Sequence, residues 1–389
     1  MKILLMASRV PYPLHNGEDL RIFHLAKQLS SRHEIDLIAY GQHGSLADEI
    51  RHCFKEVHLL ANGTETDEVQ RGYKRLVDSL LPSRMYSFDV RIYALLQKLL
   101  KERSFDLIWI PAWQMMPYSY HLSGVRVLLD IMDDGVLELL REAKVSRSFK
   151  PFLINLKRLL VTYCFERKYF PRVNWCCVVT EADALFLRRM CSKANVVIVP
   201  NGVDCEYFRP LGSSEIYPSL VFEGNMSFAP SVDAICYFHS EVFPQIKNQM
   251  PETKLWIVGK DPVKAIQDLK GDDVTVTGYV QDVRPYLDRA SVFVCPMRKG
   301  AGIKNKILQA WAMGKAVVST SIASAGLCAK PGENIVVADS SDRFAAEVVR
   351  LLKDGPLRKA IGERAKHMVR DRYSWRQQAE LLEATVKGN

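Results

Sequence analysis

Several things are missing from this 389-residue chain. No apolar run reaches the roughly 18 to 20 residues needed to cross a bilayer, which excludes a spanning helix. Met1 to Met6 leads straight into a strand pattern without the regions of a signal peptide, so residence in the cytoplasm is the expectation. The nine cysteines lie scattered at positions 53, 164, 176, 177, 191, 205, 236, 295 and 328, an odd number with no C-x-x-C pair. That pattern argues against a disulfide framework or a zinc site and for free thiols, most of them in apolar runs. No cluster of His and Cys suggests a structural metal, and no metal or cofactor is expected. The composition of a disordered chain is absent too: apolar residues make up 48% and charged residues 25%, as in a globular chain.

What is present is length, positive charge and alternation. The length suits two domains of a little under 200 residues each. The net charge of +9 is concentrated locally. From Arg141 to Trp175 nine bases (141, 144, 147, 150, 157, 158, 167, 168, 172) face two acids, Glu142 and Glu166, among Phe149, Phe152, Leu153, Leu156, Leu159, Leu160 and Tyr163. Such a segment could rest on an anionic membrane surface, or it could be a core helix with a solvated basic face. Arg71, Lys74, Arg75 and Arg84 add a second basic cluster in the same half. No recognition motif accompanies this charge, so nucleic acid is not an expected partner.

Strand-like apolar runs alternate with helical patterns from end to end, which predicts an α/β fold of parallel sheets covered by helices. The first half predicts seven strands, at 3–6, 35–39, 58–60, 107–110, 127–129, 176–179 and 196–199. Six more follow, at 220–222, 255–258, 274–277, 292–295, 317–319 and 335–337. Pro200, Asn201, Gly202, Pro210 and Gly212 make a turn-rich junction, which divides the chain into domains 1–200 and 201–373. Ser374 and Trp375 open a last helix. Two sheets of this kind bind ligands at the carboxyl ends of their strands, so facing domains would share a cleft.

The most informative run is 299–320, K-G-A-G-I-K-N-K-I-L-Q-A-W-A-M-G-K-A-V-V-S-T. A Gly-x-Gly turn, Gly300 and Gly302, leads into a helical pattern carrying Lys304 and Lys306. Backbone amides, a helix N-terminus and ammonium groups all favour an anion at one place, and a diphosphate suits them better than a single carboxylate. A plain loop with solvated lysines is the alternative reading.

Further motifs sharpen this run: P-L-H-N-G-E-D-L-R near the start, V-P-N-G-V-D-C-E-Y-F-R-P at 199–210, F-E-G-N-M-S-F-A-P at 222–230 and G-Y-V-Q-D-V-R-P-Y-L at 278–287. With them the chain resembles the bacterial glycosyltransferases of the two-Rossmann (GT-B) architecture, close to the retaining class called family 4, in a subgroup that makes envelope polysaccharides. The resemblance implies metal-independent transfer of a sugar from a nucleotide-sugar donor to a glycan or lipid-linked acceptor. It also implies a final helix, 374–389, that returns to the N-terminal domain. No Asp-x-Asp pair occurs, the device by which glycosyltransferases of the other main architecture hold a divalent cation. An epimerase of the same fold and a decayed nucleotide-sugar-binding protein are the rival readings.

The resemblance also assigns residues. Lys304 and Lys306 would stabilise the departing diphosphate. The turn Gly300, Ala301, Gly302 and Ile303 would offer amides to the donor. Family members carry Glu at the positions of Ala301 and Gln309, and an Arg and a Lys after the first strand of the second domain, where this chain has Asn225 for the Arg and no basic residue for the Lys. Gln309 keeps an oxygen that can accept from a ribose hydroxyl. Tyr279 and Val280 would meet the nucleobase. On the N-terminal side Asn16 and Gly17 open a helix whose amides could face the donor phosphate or the acceptor, with Glu18 and Asp19 behind them. Arg21 could be a phosphate contact or a surface residue. Strand 127–129 runs into D-I-M-D-D-G, which places Asp130, Asp133 and Asp134 at the site's mouth, where many relatives have a His. Asp133 first and Asp130 second are the candidate acceptor-side catalytic groups; a helix cap is the alternative for each.

Overall fold

The computed structural model describes all residues except 15, 42–45, 62–88, 112–114, 120–121, 133, 138, 141–148, 301 and 389, and for 149–155 it describes the backbone. Asp133, Ala301, the second basic cluster and the first part of the 141–175 segment therefore lie outside the described residues or side chains.

Two compact units emerge, Met1–Pro200 with Gln378–Asn389, and Asn201–Gln377. The first unit is built on β1 (Lys2–Met6), β2 (Glu34–Tyr40), β3 (Glu56–Leu60), β4 (Leu107–Ile110), β5 (Arg126–Asp130), β6 (Trp175–Val178) and β7 (Val196–Ile198). They form one sheet in the order β3-β2-β1-β4-β5-β6-β7, every pair parallel. The second unit is built on β8 (Ser219–Glu223), β9 (Lys254–Val258), β10 (Val274–Val276), β11 (Val292–Cys295), β12 (Val317–Ser319) and β13 (Val336–Val337). Its order is β10-β9-β8-β11-β12-β13, again all parallel. Counted from its own first strand, the first sheet runs 3-2-1-4-5-6-7 and the second 3-2-1-4-5-6, both on the doubly wound nucleotide-binding order. Each of the thirteen strands falls on one of the predicted runs.

These runs are strands because they are short, β-branched and apolar on both faces, as a sheet covered on two sides requires. All of β8, β11 and β12 is buried, as is β4. Polar residues mark where helices begin. The side chains of Asp89, Thr180, Ser340 and Asp354 each accept a backbone N–H at the head of a helix.

Backbone contacts fix how elements meet in the second unit. Gly259 follows β9 with φ 149°, and a Cβ there would stand 1.7 Å from the Gly224 carbonyl oxygen after β8. The turns after these neighbouring strands thus touch main chain to main chain. Gly362, in helix Gly355–Tyr373, meets the Gly314 carbonyl in the same way at 2.1 Å.

The Pro-Asn-Gly-Val-Asp junction belongs to this framework. Asn201 is 2% exposed and its amide donates to Asn305 Oδ1 at 3.3 Å. A Cβ on Gly202 would stand 2.6 Å from the Trp375 ring, and Val203 N donates to Tyr373 O at 2.7 Å. Trp375, 3% exposed, therefore sits with the second unit, and the returning segment begins at Gln378 rather than at 374. From Gln378 onward the chain packs with the first unit: Leu382 and Val386 are buried, Glu383 pairs with Arg32 and His33 at 3.0 Å each, and Arg126 donates to Val386 O at 2.9 Å.

Candidate functional site

In the second unit β8 and β11 lie side by side, although β9 and β10 intervene in sequence. Neighbouring loops diverge at such a switch point and leave a crevice beyond the carboxyl ends of the strands. The loop after β11 carries the Gly-x-Gly turn, with Gly300 at φ 106° and Gly302 at φ 68°. Both angles are in the region that favours glycine.

Helix Asn305–Ala312 follows, with Lys304 at its N-cap. Lys304 is 8% exposed and its Nζ donates to Gly302 O at 3.2 Å. The same Nζ lies 3.4 Å from where a Gly300 Cβ would stand, so the lysine folds back over the turn. Lys306 lies in the first turn of that helix. Its Nζ sits 4.2 Å from the centre of the Phe222 ring and 2.6 Å from where a Gly224 Cβ would stand. That Nζ is buried and has no hydrogen-bond partner. A buried ammonium over an aromatic face, with no hydrogen-bond acceptor among the described residues, is costly and favours a nearby anion.

Glu223, at the end of β8, is the adjacent acid. Burial pushes its carboxyl upward while the Lys306 charge pulls it down. Burial also raises the Cys295 thiol to about 11, against the pull of Lys306 and Lys304. Both ammonium groups thus act on the tip of β11. Beside them Arg298 and Lys299 share one acid, Asp233, at 2.9 and 3.1 Å.

The structure therefore collects Gly300, Gly302, Ile303, Lys304, Lys306 and Gln309 on one turn and helix, beside Asn225 on the loop after β8. Gln309 is half-buried. Asn225 is exposed and spends its Oδ1 on Ser227 N and Oγ, at 2.9 and 2.8 Å. Tyr279, 76% exposed, and half-buried Val280 follow β10, at the same end of the sheet but two strands across. Sequence reasoning did not single out Glu223 and Gly224, although both stand in the quoted run F-E-G-N; their signal was an acid and a glycine ending an apolar strand.

In the first unit Asn16 caps helix Gly17–Ser30, its Oδ1 accepting from Asp19 N at 2.9 Å. Glu18 is raised by burial, Arg9 opposing and Asp19 and Asp130 adding to it. Sequence reading leaves Arg21 between a ligand contact and a surface residue and puts Asp130 at the mouth of the site. The structure corrects both. Arg21 and Asp130 are each 1% exposed and form a bidentate pair, Nη2 to Oδ1 at 2.8 Å and Nε to Oδ2 at 3.1 Å. Arg21 Nη1 also donates to Pro200 O at 3.1 Å. Two charges taken out of water demand this mutual satisfaction, and the Asp130 carboxylate is used in meeting it. Asp134 is also buried and accepts from Leu137 N at 2.8 Å, as a cap. Below it Glu166, fully buried, accepts from Val136 N at 3.3 Å. Burial first, then the Asp134 charge, drives the Glu166 carboxyl up to about 9.

Among the described residues Asp36, Glu56 and His58 have the spacing of a metal site. Arg103 already lies on both carboxylates, donating to Asp36 at 3.2 Å and to Glu56.

Two parallel sheets of the same nucleotide-binding order define the GT-B class of fold. The chain aligns over its whole length with the solved structure of Anabaena HepE in complex with UDP and glucose, covering 100% of each chain at a TM-score of 0.66 and 14% identity. The sequence profile described as "Glycosyltransferase Family 4" matches residues 16–207, and that described as "Glycosyl transferases group 1" matches 217–354. The chain belongs to this family of glycosyltransferases. Among curated relatives, it is 23% identical to the lipopolysaccharide 1,2-N-acetylglucosaminetransferase of Salmonella typhimurium over 70% of this chain and 77% of that one. It is 27% identical to an uncharacterized 44.6 kDa protein in the cps region of Klebsiella pneumoniae, over 40% of this chain and 42% of that one. The match to the Klebsiella protein thus spans less than half of that relative's length.

Proposed function

We propose that the protein transfers a sugar from a nucleoside diphosphate to a glycan or lipid-linked acceptor of the bacterial envelope, on the cytoplasmic side and without a metal ion. The observation that carries this reading is the Lys306 ammonium, buried without a hydrogen-bond partner beside Lys304 at the switch point of the second sheet. A donor diphosphate would meet that need. As the glycosidic bond breaks, negative charge builds on the leaving phosphate, and the ammonium groups and turn amides would stabilise it more than they stabilise the ground state. They take the role a divalent cation has in other transferases. Gln309 would hold the ribose, and Tyr279 and Val280 the base. The UDP and glucose held by the Anabaena structure support a nucleotide-sugar donor, and the names of the Salmonella and Klebsiella relatives support a surface glycan as the product. Retention of configuration rests on family membership. Asp133 is the acceptor-side group of this proposal, and its replacement by Asn tests it through the transfer rate.

The deciding experiment measures donor binding and transfer in Lys304→Glu. Charge reversal is expected to abolish turnover and weaken UDP- or GDP-sugar binding by about a hundredfold, from the loss of charge-assisted contacts, with the unfolding transition retained. Normal kinetics in that variant would remove the turn from the site.

A further inference from the structure

Many polar side chains at the carboxyl ends of the second sheet are spent on their own loops. After β8, Asn225 accepts from Ser227. After β11, Arg298 and Lys299 share Asp233, and Lys304 Nζ turns back to Gly302 O. After β12, the Thr320 hydroxyl donates to Met297 O and accepts from Ala323 N, while Asp339 after β13 accepts from Ser321.

Glu223 is not spent in this way. It ends β8 and is 9% exposed. Burial raises its carboxyl, the Lys306 charge opposes, and no hydrogen bond from a described residue takes part. The Lys306 ammonium has no hydrogen-bond partner among the described residues either, so the two opposite charges stand near each other without a bond between them. The pairing of β8 with β11 sets Glu223 level with Cys295, whose thiol feels Lys306, Lys304 and Glu223 together. The carboxyl therefore belongs to the same strand ends as the two cations. A buried carboxylate without donors is costly until something supplies them.

A nucleoside diphosphate sugar brings two kinds of group to this place. Its phosphates are anionic acceptors, which suit Lys304 and Lys306 and are repelled by Glu223. Its sugar hydroxyls are donors, and the sugar is bonded directly to the diphosphate. The turn at Gly300, Ala301, Gly302 and Ile303 has no polar side chain to meet them. Hydroxyls therefore give Glu223 what its surroundings withhold, whereas a carboxylate on the sugar would add repulsion.

The geometry points to Glu223 as the residue that selects the transferred sugar: its carboxylate accepts from hydroxyls of a neutral sugar and disfavours a uronic acid. This rests on the donor-site reading above and goes beyond it by assigning the sugar contact and the class of sugar.

The test is calorimetric binding to the full chain, without acceptor, in the parent and in Glu223→Gln. The ligands are UDP and GDP, the neutral donors UDP-glucose, UDP-N-acetylglucosamine and GDP-mannose, and the acidic donors UDP-glucuronic acid and GDP-mannuronic acid. The parent should bind its best neutral donor about tenfold or more tighter than the free nucleotide, the scale of a charge-assisted hydrogen bond, and tighter than the uronic acid of the same nucleotide. Glu223→Gln should lose about tenfold on the neutral donor and gain on the uronic acid. It should bind the free nucleotide at least as tightly, since a negative charge has gone from beside the phosphates. Its thermal midpoint should not fall at neutral pH, because the carboxyl it replaces is raised by burial and its ionised form opposes folding. A neutral-donor preference that Glu223→Gln keeps in full, a parent that prefers no neutral donor to the free nucleotide or to the uronic acid, or a lowered midpoint marking a structural role would each overturn the inference and leave the nucleotide site standing. A parent that binds none of these ligands would overturn the donor-site reading, and this inference with it.

Discussion

At the residue scale, the same physical rule separates structural charges from those available to a ligand. Arg21 and Asp130 satisfy each other in the interior, whereas the Lys306 ammonium lacks a hydrogen-bond acceptor. Asp130→Asn should therefore cost about 3 to 5 kcal/mol by leaving Arg21 with an unmatched charge. Chemical denaturation is the measurement, and donor binding should stay intact. Glu166 gives a pH signature. Its carboxyl stands at about 9 against an ordinary 4.5, so between those values the folded state holds a proton that the unfolded state has released. Stability then falls as pH rises through that window. Glu166→Gln, which mimics the neutral acid, should leave stability little changed near pH 4.5 and raise the thermal midpoint increasingly toward pH 9. A parallel pH profile in variant and parent would exclude this origin for the dependence.

At the scale of elements, main-chain contact between turns sets the shape of the donor crevice. The Gly259 position admits no side chain, since a Cβ would lie 1.7 Å from the Gly224 oxygen. Gly259→Ala must push the turns after β8 and β9 apart, and with them Gly224, against which the Lys306 Nζ rests. We expect destabilisation of about 3 kcal/mol or more, from strain at positive φ plus overpacking. Donor affinity should fall with it. The glycine at 362 offers a comparison: its close contact is with Gly314, at the far end of the 305–312 helix, so alanine there should reduce stability with a smaller effect on donor affinity.

At the scale of the whole molecule, the chain passes between its units twice, at Pro200–Asn201 and again at Gln377–Gln378. The last segment completes the core of the first unit. Removing residues 378–389 exposes the surfaces that Leu382 and Val386 cover, about 1.5 to 3 kcal/mol for each side chain, and leaves His33 without Glu383. Truncation after Gln377 should lower the unfolding midpoint of the first unit selectively, resolved by calorimetry as a separate transition; a single unshifted transition would contradict it.

The strands, the parallel character of both sheets and the cationic turn were legible in the amino-acid order alone. Each is a local matter: continuous apolar runs such as β8 and β11 must be covered on both faces, and Gly300, Gly302, Lys304 and Lys306 are close along the chain. It did not disclose what depends on contacts between distant segments. Arg21 and Asp130 lie 109 positions apart, and no periodicity near either one reveals that the other will neutralise it. Asn201 of the junction motif likewise reaches Asn305 across 104 positions, at the head of the helix that carries the lysines. Which charges are buried in pairs, and which ammonium stands at the switch point, is settled by the fold, because burial and pairing energies are set by neighbours that folding brings together.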